Sequence, residues 1–266
     1  MSKAIAICNQ KGGVGKTTTA VNLATCLAVL EKKTLLIDID PQSNTTQSLG
    51  INEEQEEDIY EALTMAENSE ALTYEKLSKI IKPINPEYKL NSLNIMPASP
   101  GLAKLEMELV NATNRERRLQ KIIKTLGTNY QYIVIDAPPS LNLLTINTLT
   151  AADSVIIPVQ CEYFSLQGVA ELLNTIKLVQ SNLNSGLKIE GALLTMYDSR
   201  NSLSKQVIEE VRKNFPGKVF NTIIPRNVKL AEAPSHGKPI LLYDIQSAGS
   251  QSYIRLAEEI LEIANG

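Results

Sequence analysis

Residues 10–18 read Gln-Lys-Gly-Gly-Val-Gly-Lys-Thr-Thr, which places two lysines, Lys11 and Lys16, on either side of a glycine-rich turn. The pattern departs from G-x-x-x-x-G-K-[ST] at one position, where Gln10 stands in place of the first glycine. The chemistry it can still do is phosphate binding. Gly12, Gly13 and Gly15 let backbone N–H groups close on an anion with no Cβ in the way. The Lys16 ammonium can sit on β- and γ-phosphates, and the Thr17 hydroxyl can ligate Mg²⁺. Two sets of carboxylates could serve the same site. Asp136 closes the apolar run Tyr132-Ile133-Val134-Ile135, the Walker B geometry for holding Mg²⁺. Asp38 and Asp40 follow Leu35-Leu36-Ile37, and alternation directs both to one side. Together these residues imply a nucleoside triphosphate ligand.

Such a loop needs a strand before it and a helix after it. Ala4-Ile5-Ala6-Ile7-Cys8 is an apolar run of strand length, and Ala20, Leu23, Ala24, Leu27 and Leu30 recur at helical spacing. A helix N-terminus aimed at phosphates adds partial positive charge. Strands are expected at 4–8, 34–39, 93–97, 132–136, 154–159, 189–196 and 219–224. Helices are expected near 16–31, 101–126, 142–150, 165–184, 202–214 and 250–264. The runs at 132–136 and 154–159 are continuously apolar, which points to burial on both faces of a parallel sheet. The fold expected is α/β: a mostly parallel, twisted sheet with helices on both faces. Ligands of such sheets sit at the carboxyl ends of the strands, where each of these motifs falls.

The 266 residues read as a single domain spanning 1–266, because no Pro-, Gly- or Ser-rich stretch divides them. The phosphate loop begins within ten residues of the start, so no DNA-reading domain is expected in front of it. No apolar run reaches the roughly 18 residues of a membrane span, and no signal peptide is evident. Cys8, Cys26 and Cys161 are odd in number and far apart, as small buried apolar residues of a reducing, cytoplasmic compartment would be. A net charge of −3 excludes a uniformly basic nucleic-acid binder. The distribution is uneven, however. Glu53, Glu54, Glu56, Glu57, Asp58, Glu61, Glu67, Glu70 and Glu75 crowd residues 51–75 with no Lys or Arg, and read as a solvated helical face. Residues 199–238 carry eight basic side chains against three acidic ones. That stretch is either another solvated face or a phosphate-binding patch.

Lys-Gly-Gly-Val-Gly-Lys-Thr-Thr resembles the deviant Walker A motif of the ParA/MinD group of P-loop ATPases, with Lys11 as its signature lysine. Leu36-Ile37-Asp38-Ile39-Asp40-Pro41-Gln42, Tyr132-Ile133-Val134-Ile135-Asp136-Ala137-Pro138-Pro139 and Ile223-Ile224-Pro225-Arg226-Asn227 resemble the group as well, and the nearest likeness is to its ParA/Soj branch. The resemblance implies that residues 11–18 (Lys11, Gly12, Gly13, Val14, Gly15, Lys16, Thr17, Thr18) hold ATP phosphates. Pro225, Arg226 and Asn227 would lie at the adenine. Thr17, Asp38 and Asp136 would organise Mg²⁺, and Asp40 would place the attacking water or take its proton. Lys11 would reach the partner's ATP in a sandwich homodimer. Relatives usually carry glycine where Ser43 stands, so a stiffer switch is expected here. Arg200 and Lys229 match basic positions used for nonspecific double-stranded DNA, and Lys205, Arg212, Lys213 and Lys218 could extend the patch. Function in the branch implies nucleoid association and a ParB/Spo0J-type partner that accelerates hydrolysis. Three other readings share this scaffold. An iron–sulfur carrier lacks its clustered cysteines. A MinD-like membrane ATPase conflicts with the last helix, whose polar face offers Arg255 against Glu258, Glu259 and Glu262. An ATP-dependent ligase or synthase of cofactor metabolism remains open.

Overall fold

The computed structural model describes residues 2–51, 57–67, 70–162 and 167–265. Its eight strands are β1 (Lys3–Ile7), β2 (Thr34–Asp38), β3 (Lys82–Pro83), β4 (Leu93–Met96), β5 (Tyr132–Asp136), β6 (Ser154–Gln160), β7 (Lys188–Tyr197) and β8 (Val219–Pro225). They form one sheet in the order β3-β4-β2-β5-β1-β6-β7-β8. All pairings are parallel except the short β3 against β4. From β1 the chain passes over the site of β5 to β2, and from β5 it crosses β1 the other way to β6, so the direction of winding reverses beside β1 and opens a crevice at its carboxyl end. The phosphate loop follows β1 there.

Alternation along β1 explains how both faces are filled. Ala4 and Ala6 enter one apolar core, while Ile5 and Ile7 enter the other. The Ala face is covered by α3 (Ile59–Met65), α4 (Tyr74–Ile80), α5 (Leu102–Glu108), α6 (Arg118–Leu126), α7 (Leu143–Ala151), α8 (Gln167–Asn182) and α9 (Ser202–Asn214). The Ile face is covered by α1 (Lys16–Val29), α11 (Ile240–Tyr243) and α12 (Ala248–Asn265). Two short helices, α2 (Asn44–Ser48) and α10 (Val228–Glu232), stand at the carboxyl ends of β2 and β8.

Every strand expected from sequence is present, and β3, α2, α4, α10 and α11 are additional, while α3 falls in the acidic stretch read as a helical face. Helices of four to seven residues carry too little periodicity to register, and a two-residue edge strand carries none. The single helix expected over 101–126 is two. Asn114 takes a left-handed φ of 53° between α5 and α6. Asn147 of α7 holds the break by donating Nδ2–H to the Arg115 carbonyl and accepting from the Leu119 N–H. In the acidic stretch Asp58 is buried and caps α3, with Glu61 returning to the Asp58 N–H. Glu53, Glu54 and Glu56, and the start of the helix expected at 165, lie outside the described residues. α12 buries Tyr253, Leu256, Ala257 and Ile260 against α1 and β8, so its apolar face is core. Cys8, Cys26 and Cys161 are free and buried. Among the described residues no helix is long and apolar enough to cross a membrane.

One backbone contact ties the end of α2 to the loop after α10. Gly50 (φ +70°) and Gly237 (φ +62°) meet there, and a Cβ on Gly237 would lie 2.8 Å from Gly50 Cα and 3.1 Å from its nitrogen. Tyr88 adds a hydrogen bond from its hydroxyl to the Gly237 carbonyl at 3.2 Å. Gly237→Ala combines that clash with a left-handed backbone, and is expected to cost about 2 kcal/mol of stability, read from the urea unfolding midpoint.

Candidate nucleotide-binding site

The phosphate loop is held open by its own glycines and by two clamps. Gly13 (φ 72°) and Gly15 (φ 88°) adopt left-handed conformations that L side chains rarely enter. Gly15 is the N-cap of α1, so no side chain caps the helix and its first N–H groups face the loop. On one side Asn9 accepts from the Lys11 N–H (3.0 Å) and donates to the Pro158 carbonyl (2.6 Å). On the other, Thr195 at the end of β7 donates its hydroxyl to the Val14 carbonyl (2.9 Å). Lys16 is buried and its Nζ donates to the Lys11 carbonyl at 3.3 Å, inside the loop. Burial holds its pKa below the ordinary lysine value, with Asp136 and Asp40 opposing the shift.

Two buried carboxylates face this loop from adjacent strands. Register pairs Asp38 with Asp136 across β2 and β5, and Ile7 with Asp136 across β1 and β5. Asp136 Oδ2 accepts two hydroxyls, from Thr17 and from Thr45, each at 2.7 Å. Its Oδ1 is buried with no hydrogen-bond partner. Burial lifts the Asp136 pKa to about 6 and the Asp38 pKa to about 7, the latter helped by the neighbouring Asp136. Asp38, expected to help organise Mg²⁺, turns toward the segment that follows β2. Its Oδ1 accepts from the Asp40 N–H (3.2 Å), and its Oδ2 accepts from the N–H (2.9 Å) and hydroxyl (2.7 Å) of Thr46. Both oxygens are thus taken by the segment that follows. Asp40 lines the phosphate cleft with Gly12, Gly13, Lys16, Thr17 and Asn44, and its Oδ1 accepts from the Gln42 N–H.

A second, more apolar cleft adjoins the first. Pro225, Arg226 and Asn227 line it, with Thr195, Leu230 and Tyr253. The two clefts enclose about 200 and about 320 Å³ and share Gly15, Thr18 and Met196. One ligand spanning both falls in the usual size range of small-molecule sites, roughly 300–1,000 Å³. Met196 sits at their junction with a left-handed φ of 54°, where the β7–β8 register is irregular. Lys11 is half-buried beside Gly168 of α8 and has no ion pair among the described residues.

The basic residues divide into two groups. Arg200, Arg226 and Lys229 lie at the same carboxyl end of the sheet, each exposed and each paired. Arg200 grips Asp198 through Nε (3.0 Å) and Nη2 (2.8 Å), which holds that carboxyl at about 2. Lys229 pairs with Glu232 (2.9 Å), and Arg226 with Glu162 (3.3 Å). Lys205, Arg212 and Lys213 are exposed on α9. Helical rise carries Arg212 and Lys213 about 15 Å down the helix from its start, toward the amino end of the sheet. Lys218 is there too, paired with Glu259. A continuous patch over 199–238 is therefore not formed. Sequence reasoning missed Asn9, Thr45, Thr46, Thr195 and Met196. Only Asn9, an Asx residue closing a strand, carried any local signal.

A family profile described as "AAA domain" matches residues 2–189. The chain is 54% identical to the sporulation initiation inhibitor protein Soj of Bacillus subtilis, over 100% of both chains. It is 50% identical to the chromosome partitioning protein ParA of Myxococcus xanthus, over 98% of this chain and 89% of that one. Among solved structures, cobyrinic acid a,c-diamide synthase from Mycobacterium smegmatis with bound ADP and magnesium superposes with a TM-score of 0.84 at 32% identity, covering 100% of this chain and 96% of that one. With the signature lysine, the phosphate loop and the paired strand-end carboxylates all in place, the chain belongs to the ParA/Soj family of P-loop ATPases.

Proposed function

We propose that this chain is an ATP-driven switch for DNA segregation, which binds nonspecific DNA as an ATP sandwich dimer and releases it on hydrolysis. The observation that carries the reading is end-to-end identity of 54% with Soj, spanning both the phosphate loop and the basic carboxyl-end loops. The synthase reading draws on a structural relative at 32% identity and has the weaker support.

The loop N–H groups and Lys16 receive the phosphates, and the apolar cleft at Pro225 receives adenine. A cation fits beside them. The unpartnered Asp136 Oδ1 and the Thr17 hydroxyl on Oδ2 are hard oxygen donors, suited to Mg²⁺ completed by phosphate and water oxygens. When bound, magnesium would neutralise charge developing on the β- and γ-phosphates. Asp40 stands at the cleft wall with one oxygen committed to the Gln42 N–H, placed to orient a water toward the γ-phosphate. Phosphoryl transfer needs positioning more than covalent help, so one fixed carboxylate suffices. Lys16 already serves the chain's own phosphates, which leaves Lys11 for those of a second copy. A ParB/Spo0J-type protein is the partner that would accelerate turnover.

Lys11→Ala is therefore expected to bind ATP within about two-fold of the wild type while losing the ATP-dependent dimer in analytical ultracentrifugation. A mutant that dimerises normally rejects the trans role. For DNA, retention of random-sequence duplex should require ATP, and Asp40→Ala should prolong it by blocking hydrolysis. Arg200→Ala and Lys229→Ala should each lower the log–log salt slope by about one per group removed. Asp198→Asn, which frees the Arg200 guanidinium, should tighten retention. No DNA held in any nucleotide state would sink the segregation reading.

A further inference from the structure

We propose that Thr46 is a positioning residue for ATP hydrolysis, holding Asp40 at the phosphate cleft through the Asp38 carboxylate. Asp38 acts on both ends of one segment. Its Oδ1 accepts from the Asp40 N–H, and its Oδ2 accepts from the N–H and hydroxyl of Thr46. Residues 40–46 are thus closed into a loop on a single buried side chain at the end of β2. The Thr46 hydroxyl also accepts from the Ala98 N–H at 3.0 Å, which anchors the loop to the chain leaving β4. Thr46 is fully buried, so removing the hydroxyl would leave the Ala98 N–H unpaired and strip Asp38 Oδ2 of one of its two donors, the Thr46 N–H alone remaining.

The adjacent threonine does different work. Thr45 donates to Asp136, the carboxylate beside Thr17, and so fastens the same helix to β5. Two successive hydroxyls therefore strap α2 to two neighbouring strand ends, one on the cation side and one on the Asp40 side. Inside the loop, Asp40 is held by its own carbonyl, which accepts from the Ser43 N–H (2.9 Å), and by its carboxylate, which accepts from the Gln42 N–H (2.9 Å). Thr46 itself lines neither cleft, and its side chain bonds only Asp38 and the Ala98 N–H. Loss of the Thr46 hydroxyl should consequently misplace Asp40 while sparing nucleotide affinity.

The test compares Thr46→Val and Thr46→Ser. Valine keeps the shape and removes the hydroxyl, whereas serine keeps the hydroxyl. Thr46→Val is expected to lower kcat at least about ten-fold with the Kd for a fluorescent ATP analogue within about three-fold, and Thr46→Ser to recover kcat to within about three-fold. Amide hydrogen exchange over residues 40–46 should speed up in Thr46→Val and return toward wild type in Thr46→Ser. Placed on Asp40→Ala, Thr46→Val should lower the residual rate no further, because the carboxylate it positions is already gone. Should Thr46→Val not fold, Thr46→Ala takes its place in every comparison. Wild-type kcat without the hydroxyl, parallel loss of affinity and kcat, failure of serine to rescue, or additivity with Asp40→Ala would each overturn the assignment.

Discussion

Two carboxylates are carried to the same level by adjacent parallel strands and sealed from water, and much of the surrounding structure answers to that constraint. Like charges at the ends of β2 and β5 cannot both ionise cheaply in a low dielectric. Burial accordingly lifts Asp136 to about 6 and Asp38 to about 7. The chain meets the demand locally with hydroxyls and N–H groups: Thr17, Thr45, Thr46 and the Asp40 amide. Lys16 supplies the nearby positive charge. A cation on the free oxygen of Asp136 would satisfy what these donors leave, since a divalent ion is the largest local charge in such a site. The hydrogen bonds of Asp136 and the seat of Asp40 thus share one physical root.

The carboxyl-end loops show how weakly held charge can be useful. Arg200, Arg226 and Lys229 are exposed and spend their charge on Asp198, Glu162 and Glu232. Exposed pairs of this kind contribute roughly 0–1 kcal/mol. In the proposed DNA-bound dimer a phosphate would displace each acidic partner at little cost, and two copies would bring the groups from both loops to one duplex, where counterion release rewards each contact. Lys229 also lies beside the apolar cleft, between Asn227, the N-cap of α10, and Leu230, both of which line it.

The sheet was legible because its evidence is local: unbroken apolar runs for buried strands, and 3.6-residue periodicity for the long helices. The phosphate loop, Asp40 and Asp136 were legible because their residue types and places at strand ends carry the chemistry. What escaped is non-local. Thr46 matters through Asp38, eight residues away, and through Ala98 across the sheet. Thr195 clamps the phosphate loop from 181 positions later in the chain. The break between α5 and α6 depends on Asn147 of a different helix. The partners of the basic stretch escaped for a related reason, since a count over 199–238 stops one residue short of Asp198 and ignores how α9 runs away from the cleft.

Ser43 shows what sets the balance of the segment between Asp40 and Ser48. Its φ of 54° places an L residue in the left-handed region, at a cost on the order of 1–2 kcal/mol, where glycine would sit freely. Its hydroxyl is buried without a partner, a second cost of roughly 1–3 kcal/mol. Against these stand the straps from Thr45 and Thr46, each a hydrogen bond to a carboxylate contributing roughly 1.5–3 kcal/mol. The opposing sums are of similar size. The two straps end on different strands, Thr45 on Asp136 of β5 and Thr46 on Asp38 of β2, and the end of α2 in turn meets the loop after α10 where Gly50 packs on Gly237.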